Sequence, residues 1–255
     1  MALRNATGIV IQSLDFGESD KIVTFFTLEE GKLKGIAKGA RRSRKRFSNC
    51  LDLFCHVRIQ FFEKEDRGLT RIDQCDGVDF LPALSEDIMK MSYGSYFVEL
   101  VDVLVRERQV NRGAFELLSS FLSILANHAP REEMLRVFEI RLLSLVGYRP
   151  HLDGCVTCLK PVERMEAVYF DPARGGILCE HCTNPTGRVF SVSKGTVKLL
   201  VRSADTELDK IQRLRFTPGA LRESRDILPY FIQHHVSRPL KSLRFLESMK
   251  VGVSP

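Results

Sequence analysis

Residues 7–31 read Thr7-Gly8-Ile9-Val10-Ile11-Gln12-Ser13-Leu14, Asp15-Phe16-Gly17-Glu18-Ser19-Asp20, Lys21-Ile22-Val23-Thr24-Phe25-Phe26-Thr27-Leu28 and Glu29-Glu30-Gly31. Two runs rich in β-branched and aromatic residues, each closed by a polar turn with glycine, predict strands, not a helix. Working outward, 33–37 reads as a third strand. Residues 54–62 and 69–75 add two more, joined by the charged turn Glu63-Lys64-Glu65-Asp66-Arg67-Gly68. Five short strands in the first 80 residues predict a small closed sheet, and the five-stranded OB-fold barrel is its expected form.

After Leu81-Pro82 the period becomes helical. Residues 85–108, 114–127 and 132–146 carry apolar side chains at steps of three and four, such as Phe97, Leu100, Val101 and Leu104 in the first. Helices are expected again at 193–201, 221–234 and 240–249. The intervening 151–188 is short of apolar periodicity and rich in Cys, Gly and Pro. The expected fold class is therefore α+β and multidomain. An OB-fold barrel (1–80) precedes an α-helical domain (82–150 and 189–255), into which a cysteine module (151–188) is inserted.

Charge sharpens the reading. Thirty-eight Lys and Arg against 32 Asp and Glu give +6, yet eight cations fall in one acid-free stretch. They are Lys32, Lys34, Lys38, Arg41, Arg42, Arg44, Lys45 and Arg46, and without them the chain is at −2. Gly35 and Gly39 lie within the stretch and Phe47 closes it. Such a block is a solvated loop in its plainest reading, and a nuclear localisation signal has the same composition. Interleaved cations and an aromatic ring also form a surface suited to nucleic-acid phosphates and bases. All nine residues, Lys32 to Phe47, are candidates for DNA contact, Lys32 and Phe47 the weaker ones.

Cys155-Val156-Thr157-Cys158 and Cys179-Glu180-His181-Cys182 are two C-x-x-C knuckles twenty residues apart. This spacing suits four thiolates closing a tetrahedral structural zinc site, with Asp171-Pro172-Ala173-Arg174-Gly175-Gly176 as the reversal between them. Four sulfurs leave no open position for substrate, so a catalytic zinc is not expected. Cys50, Cys55 and Cys75 lack paired spacing and read as small core residues.

Phosphate loops, dinucleotide fingerprints, nucleophile elbows and the zinc-deaminase signature are all missing from the sequence, so a non-enzymatic role is expected. No apolar run approaches the roughly 18 residues of a membrane span. Seven cysteines and no export-type N-terminus point to a reducing, cytoplasmic location. A zinc-ribbon transcription or RNA-binding factor would share the barrel, the basic block and the four thiolates.

The order of pieces resembles the bacterial RecO recombination mediator family nearly end to end. The resemblance is carried by Thr7-Gly8-Ile9-Val10, Gly17-Glu18-Ser19-Asp20-Lys21-Ile22-Val23-Thr24 and Thr27-Leu28-Glu29-Glu30-Gly31-Lys32. Lys38-Gly39-Ala40-Arg41-Arg42-Ser43, Gly147-Tyr148-Arg149-Pro150-His151-Leu152-Asp153-Gly154-Cys155 and Leu240-Lys241-Ser242-Leu243-Arg244 extend it. It implies a protein that binds single- and double-stranded DNA, anneals complementary strands and helps load RecA onto strands coated with single-strand-binding protein. It also implies RecR as obligate partner and docking of the acidic, apolar C-terminal tail of single-strand-binding protein on the helical domain.

Overall fold

A computed structural model describes residues 2–47, 49–62, 69–183 and 187–251. The β-rich start forms β1 (Leu3–Phe16), β2 (Asp20–Thr27), β3 (Gly31–Ala37), one helical turn α1 (Arg44–Phe47), β4 (His56–Phe62) and β5 (Thr70–Asp79). The strands close into a barrel in the order β1-β2-β3-β5-β4, the expected OB-fold. Closure depends on the length of β1. Its Gly8–Phe16 part pairs with β2, and its Leu3–Ile9 part pairs with β4. β3 and β5 pair in parallel at Gly35↔Thr70. That approach needs glycine, because a Cβ at Gly35 would lie 2.7 Å from the Thr70 carbonyl oxygen.

Alternation turns Val10, Val23, Phe25, Leu33, Val57, Ile59, Phe61 and Ile72 inward. Phe47, Cys50, Leu51, Cys55 and Cys75 complete that core. Burying each aromatic ring stabilises the barrel by about 1.5–3 kcal/mol.

The expected helix over 85–108 is two: α2 (Pro82–Glu86) and α3 (Ile88–Leu104), followed by α4 (Arg112–Asn127) and α5 (Glu132–Leu145). The break is at Asp87, whose carboxylate accepts the N–H groups of Met89 and Lys90 and starts α3 afresh. Beyond α3 the chain returns to the barrel instead of staying helical. The Arg108 N–H donates to the Lys32 carbonyl, and its guanidinium reaches Thr70 Oγ1 at 2.8 Å. Phe115 of α4 packs on Phe26 of β2, ring centroids 5.9 Å apart.

The cysteine-rich stretch folds around β6 (Val168–Asp171), β7 (Gly176–Cys179) and β8 (Phe190–Val192), in sheet order β7-β6-β8. Strands of three and four residues are too short to show period in sequence. The chain ends in α6 (Lys194–Asp205), α7 (Pro218–His235) and α8 (Lys241–Val251). Thr217 caps α7 by accepting the Ala220 N–H, and the helix runs on through Pro229.

The chain divides into two compact units, 1–129 with 242–255, and 130–241. The first holds the barrel, α2–α4 and nearly all of α8. There Glu99 accepts both the Ser242 N–H and its hydroxyl, and so caps α8. The second holds α5–α7 and the three-stranded sheet. Inside it the Arg136–Glu139 ion pair is fully buried at 2.9 Å, with Arg136 also donating to the Ser224 carbonyl. No helix among the described residues is long and apolar enough to cross a membrane.

Candidate metal centre and candidate nucleic-acid interface

The first knuckle is a tight turn. Cys155 N–H donates to the Lys160 carbonyl, and Leu159 N–H donates back to the Cys155 carbonyl, each at 2.9 Å. The reversal requires positive φ at Leu159 (61°). The second knuckle leaves the end of β7, where Cys182 and Thr183 N–H groups both donate to the Cys179 carbonyl. The β6–β7 hairpin returns it to the first, through a turn in which Asp171 accepts the N–H groups of Ala173 and Arg174. Val156 N–H, donating to Ile177 O at 2.9 Å, ties the knuckles together.

The sulfurs of Cys155, Cys158, Cys179 and Cys182 thereby converge, all within 4.8 Å of one another. All four are free thiols, and Cys158 Sγ stands 3.7 Å from Cys179 Sγ, well beyond a disulfide bond. A tetrahedral ion with metal–sulfur bonds of about 2.3 Å has sulfur–sulfur edges of roughly 3.8 Å, so the donor set fits a metal ion. The thiols are electrostatically unequal. Burial pushes Cys155 up, but N–H groups of Cys158, Cys179 and Thr157 outweigh it and bring the thiol down to about 6. Cys182 is pushed up to about 12 by thiol hydrogen bonds with Cys158 and Cys179.

Glu180 is held elsewhere. Lys160 pairs with its carboxylate, which also accepts the Glu166 and Ala167 N–H groups, bringing it down to about 2. His181 is exposed, its Nδ1 3.1 Å from that carboxylate. Four sulfurs without either neighbour form the better-matched ligand set.

The basic stretch runs from β3 through a turn into α1. Asp20 organises it by accepting the Gly39 N–H at 2.8 Å, the bond that does most to hold its carboxyl below the ordinary value. Gly39 takes positive φ (68°), and Arg41 N–H donates to the Ser19 carbonyl. The Arg46 guanidinium closes the turn on the Lys38 carbonyl at 2.6 Å and sits 5.0 Å from the Phe47 centroid.

Lys34, Lys38, Arg41, Arg42 and Lys45 are exposed and Arg46 half-buried; the Arg44 side chain lies outside the described residues. Arg41 and Arg42 make long surface pairs, 3.9 Å to Asp15 and 3.6 Å to Glu18, and the Arg41 guanidinium also donates to the Glu18 carbonyl at 3.4 Å. Such pairs contribute about 0–1 kcal/mol and yield readily to a polyanion.

Two of the nine expected contacts are placed otherwise. Lys32 is 8% exposed, its ammonium 3.3 Å from Asp102 Oδ1 and donating to the Asp102 carbonyl. Phe47 is 2% exposed, and its ring belongs to the barrel core. Lys32 holds α3 against the barrel and Phe47 anchors α1, so neither presents a free face.

The register reveals neighbours that the sequence reading missed. A row crosses the outer sheet through Leu14↔Ile22, Ile22↔Ile36 and Ile36↔Arg71, then Arg71↔Phe62 and Phe62↔Leu3. Leu3 and Leu14 are about half exposed, and the Arg71 guanidinium lies 5.7 Å from the Phe62 centroid. Lys21, Arg41 and Ser43 also line one shallow pocket with Phe47 and Asn49. Strand pairing alone brings the row together; no local motif marks Arg71.

Comparison with known proteins shows the family. The family model "Recombination protein O N terminal" matches residues 1–81, and "Recombination protein O C terminal" matches 85–244. The chain is 38% identical to a protein named DNA repair protein RecO from Syntrophus aciditrophicus, over 98% of this chain and 97% of the relative. A protein of the same name from Symbiobacterium thermophilum is 37% identical, over 98% and 99%. Another, from Anaeromyxobacter sp. strain K, is 36% identical over 95% of both chains.

Proposed function

The chain belongs to the RecO family of DNA repair and recombination proteins, and on that premise we propose that it is a non-enzymatic, cytoplasmic strand-annealing mediator. It binds single- and double-stranded DNA, anneals complementary strands and, with RecR, assists RecA loading onto strands coated with single-strand-binding protein. The tail of that protein docks on the helical part of the chain. The observation that supports this best is the exposed run Lys34, Lys38, Arg41, Arg42, Lys45, with Arg46, displayed beside an open sheet face of a closed barrel.

Annealing requires a strand held by its phosphates with its base edges free. Cations of the turn and α1, Arg44 included, take phosphates without reading sequence, while the Leu14–Ile22–Ile36–Arg71–Phe62 row supports bases from below. Asp20 positions the turn by its hold on Gly39 and touches no DNA. Cys155, Cys158, Cys179 and Cys182 hold one structural Zn²⁺, which when bound cross-links the two knuckles.

With about four phosphate contacts on a single strand, log K falls against log[salt] with a slope of roughly −3. Replacing Arg41, Arg42, Lys45 and Arg46 by Ala flattens that slope. An unchanged slope, measured by titrating labelled oligonucleotide at several salt concentrations, refutes the assignment. Annealing of oligonucleotides coated with single-strand-binding protein, with and without RecR, tests the mediator role.

A further inference from the structure

In sequence, His234-His235 is an ordinary polar helix end; in the unit 130–241 His234 ends a ladder of rings with Phe190 and Tyr230, and His235 joins a separate group with Tyr148 and Phe231. Arg188 lays its guanidinium 4.4 Å from the Tyr230 centroid and 5.6 Å from that of Phe190. Phe190 and Tyr230 meet edge to face at 5.2 Å, and Tyr230 meets His234, one turn along α7, at 4.9 Å. His235 stacks on Tyr148 at 4.6 Å with planes 29° apart. Tyr148, Phe190 and Tyr230 are half-buried, while Arg188, His234 and His235 are exposed.

A ring that only completes a core is covered; these keep surface in water. Arg188 makes no ion pair or hydrogen bond among the described residues, so its donors are open above the aromatic pair. An open guanidinium beside ring faces matches one nucleotide unit, with phosphate for the fork and base for the rings. Asp226, one turn before Tyr230 on the same ridge, bounds the surface with a negative charge.

We propose that this ladder is a second nucleic-acid site, separate from the barrel, which takes unpaired bases of a single strand. Tyr230, Phe190 and His234 stack bases, and Arg188 takes an adjoining phosphate. Stacking tolerates any base and depends less on salt than the barrel's run of cations. Holding bases here and phosphates at the barrel gives one chain two distinct grips. The inference does not depend on the barrel reading, since each site is read by its own residues.

The test is photocrosslinking of the full chain to a single strand carrying 5-iodouracil, with the crosslinked residues mapped by mass spectrometry. Crosslinks are expected at Tyr230, Phe190 or His234. They persist when Arg41, Arg42, Lys45 and Arg46 are replaced by Ala. They fall about five-fold or more in Tyr230→Leu, the equivalent of one lost stacking contact. Arg188→Ala weakens them too, and Tyr230→Phe retains them. If Tyr230→Leu does not fold, judged by circular dichroism, Arg188→Ala and Tyr230→Phe decide. Crosslinks confined to the barrel overturn the proposal and leave the barrel reading standing; crosslinks confined to the ladder do the reverse. Binding of an acidic, apolar-ended peptide that depends on Arg188, with no strand crosslinked at the ladder, also overturns it.

Discussion

The barrel and the cysteine module are both small β structures, and each contains cysteines, but they are held together by different means. In the barrel, Cys50, Cys55 and Cys75 are buried among Phe47, Phe61 and Ile72. Burial pushes the Cys55 thiol up to about 11, and the Cys75 thiol is raised by its hydrogen bond with Cys50 and by burial. Protonated and covered, these three act as small apolar residues. In the module, strands of four, four and three residues give little area, and the sulfurs gather at two turns rich in N–H donors. What apolar surface the module has is shared with α7, where Phe170 meets Phe231 edge to face. The same side chain is thus filler where a closed sheet supplies a core, and one of four sulfurs that could staple two turns through a metal ion where little core exists.

Removing one staple tests this contrast most severely. Structural zinc sites carry an apparent binding free energy of about 10–16 kcal/mol. Cys179→Ser is expected to lose bound metal and the folding of the module, while Cys75→Ala keeps its metal; metal analysis and circular dichroism measure both. Equal metal content in the two variants would break the contrast. Phe25→Ala should destabilise the barrel by about 3–5 kcal/mol in denaturant titration, with metal content unchanged. Thiol labelling sharpens the comparison further. After chelation, four thiols should react promptly, and the barrel three only on unfolding.

Acid gives a smaller effect. The Asp20 carboxyl is depressed, so its hold on Gly39 stabilises the basic turn above the ordinary carboxylate value near 4. That contribution is lost as pH falls through its lower, folded value. Asp20→Asn should remove this part of the acid response, read from the Gly39 amide shift against pH. Smallest of all, Leu159→Gly relieves a positive φ and should raise module stability by about 1 kcal/mol, seen as slower metal loss to a chelator.

Much of this was legible in the chain because it is local. Runs of β-branched and aromatic residues between glycine turns placed all five barrel strands, C-x-x-C spacing named the four sulfurs, and charge counting found the basic stretch. The rest depended on what packs against what. Nothing in 31–38 distinguishes Lys32 from Lys34, yet α3 covers one and leaves the other open. Phe47 ends a cationic run and so reads as a stacking ring, but it fills the barrel. Arg71 and Ile36 meet only through the parallel β3–β5 pair, and Arg188 meets Tyr230 across 42 positions of sequence. Length and register, not composition, decide such pairings.

Glu99 and its partner Ser242 have a consequence in time. The first unit needs α8, and between residues 129 and 242 the ribosome must add the whole second unit. At about 5–20 residues per second, the cap arrives roughly 8–30 seconds after the barrel strands have emerged. During that interval Glu99 waits without α8, and a chaperone or protease meets the nascent first unit with that face still uncovered.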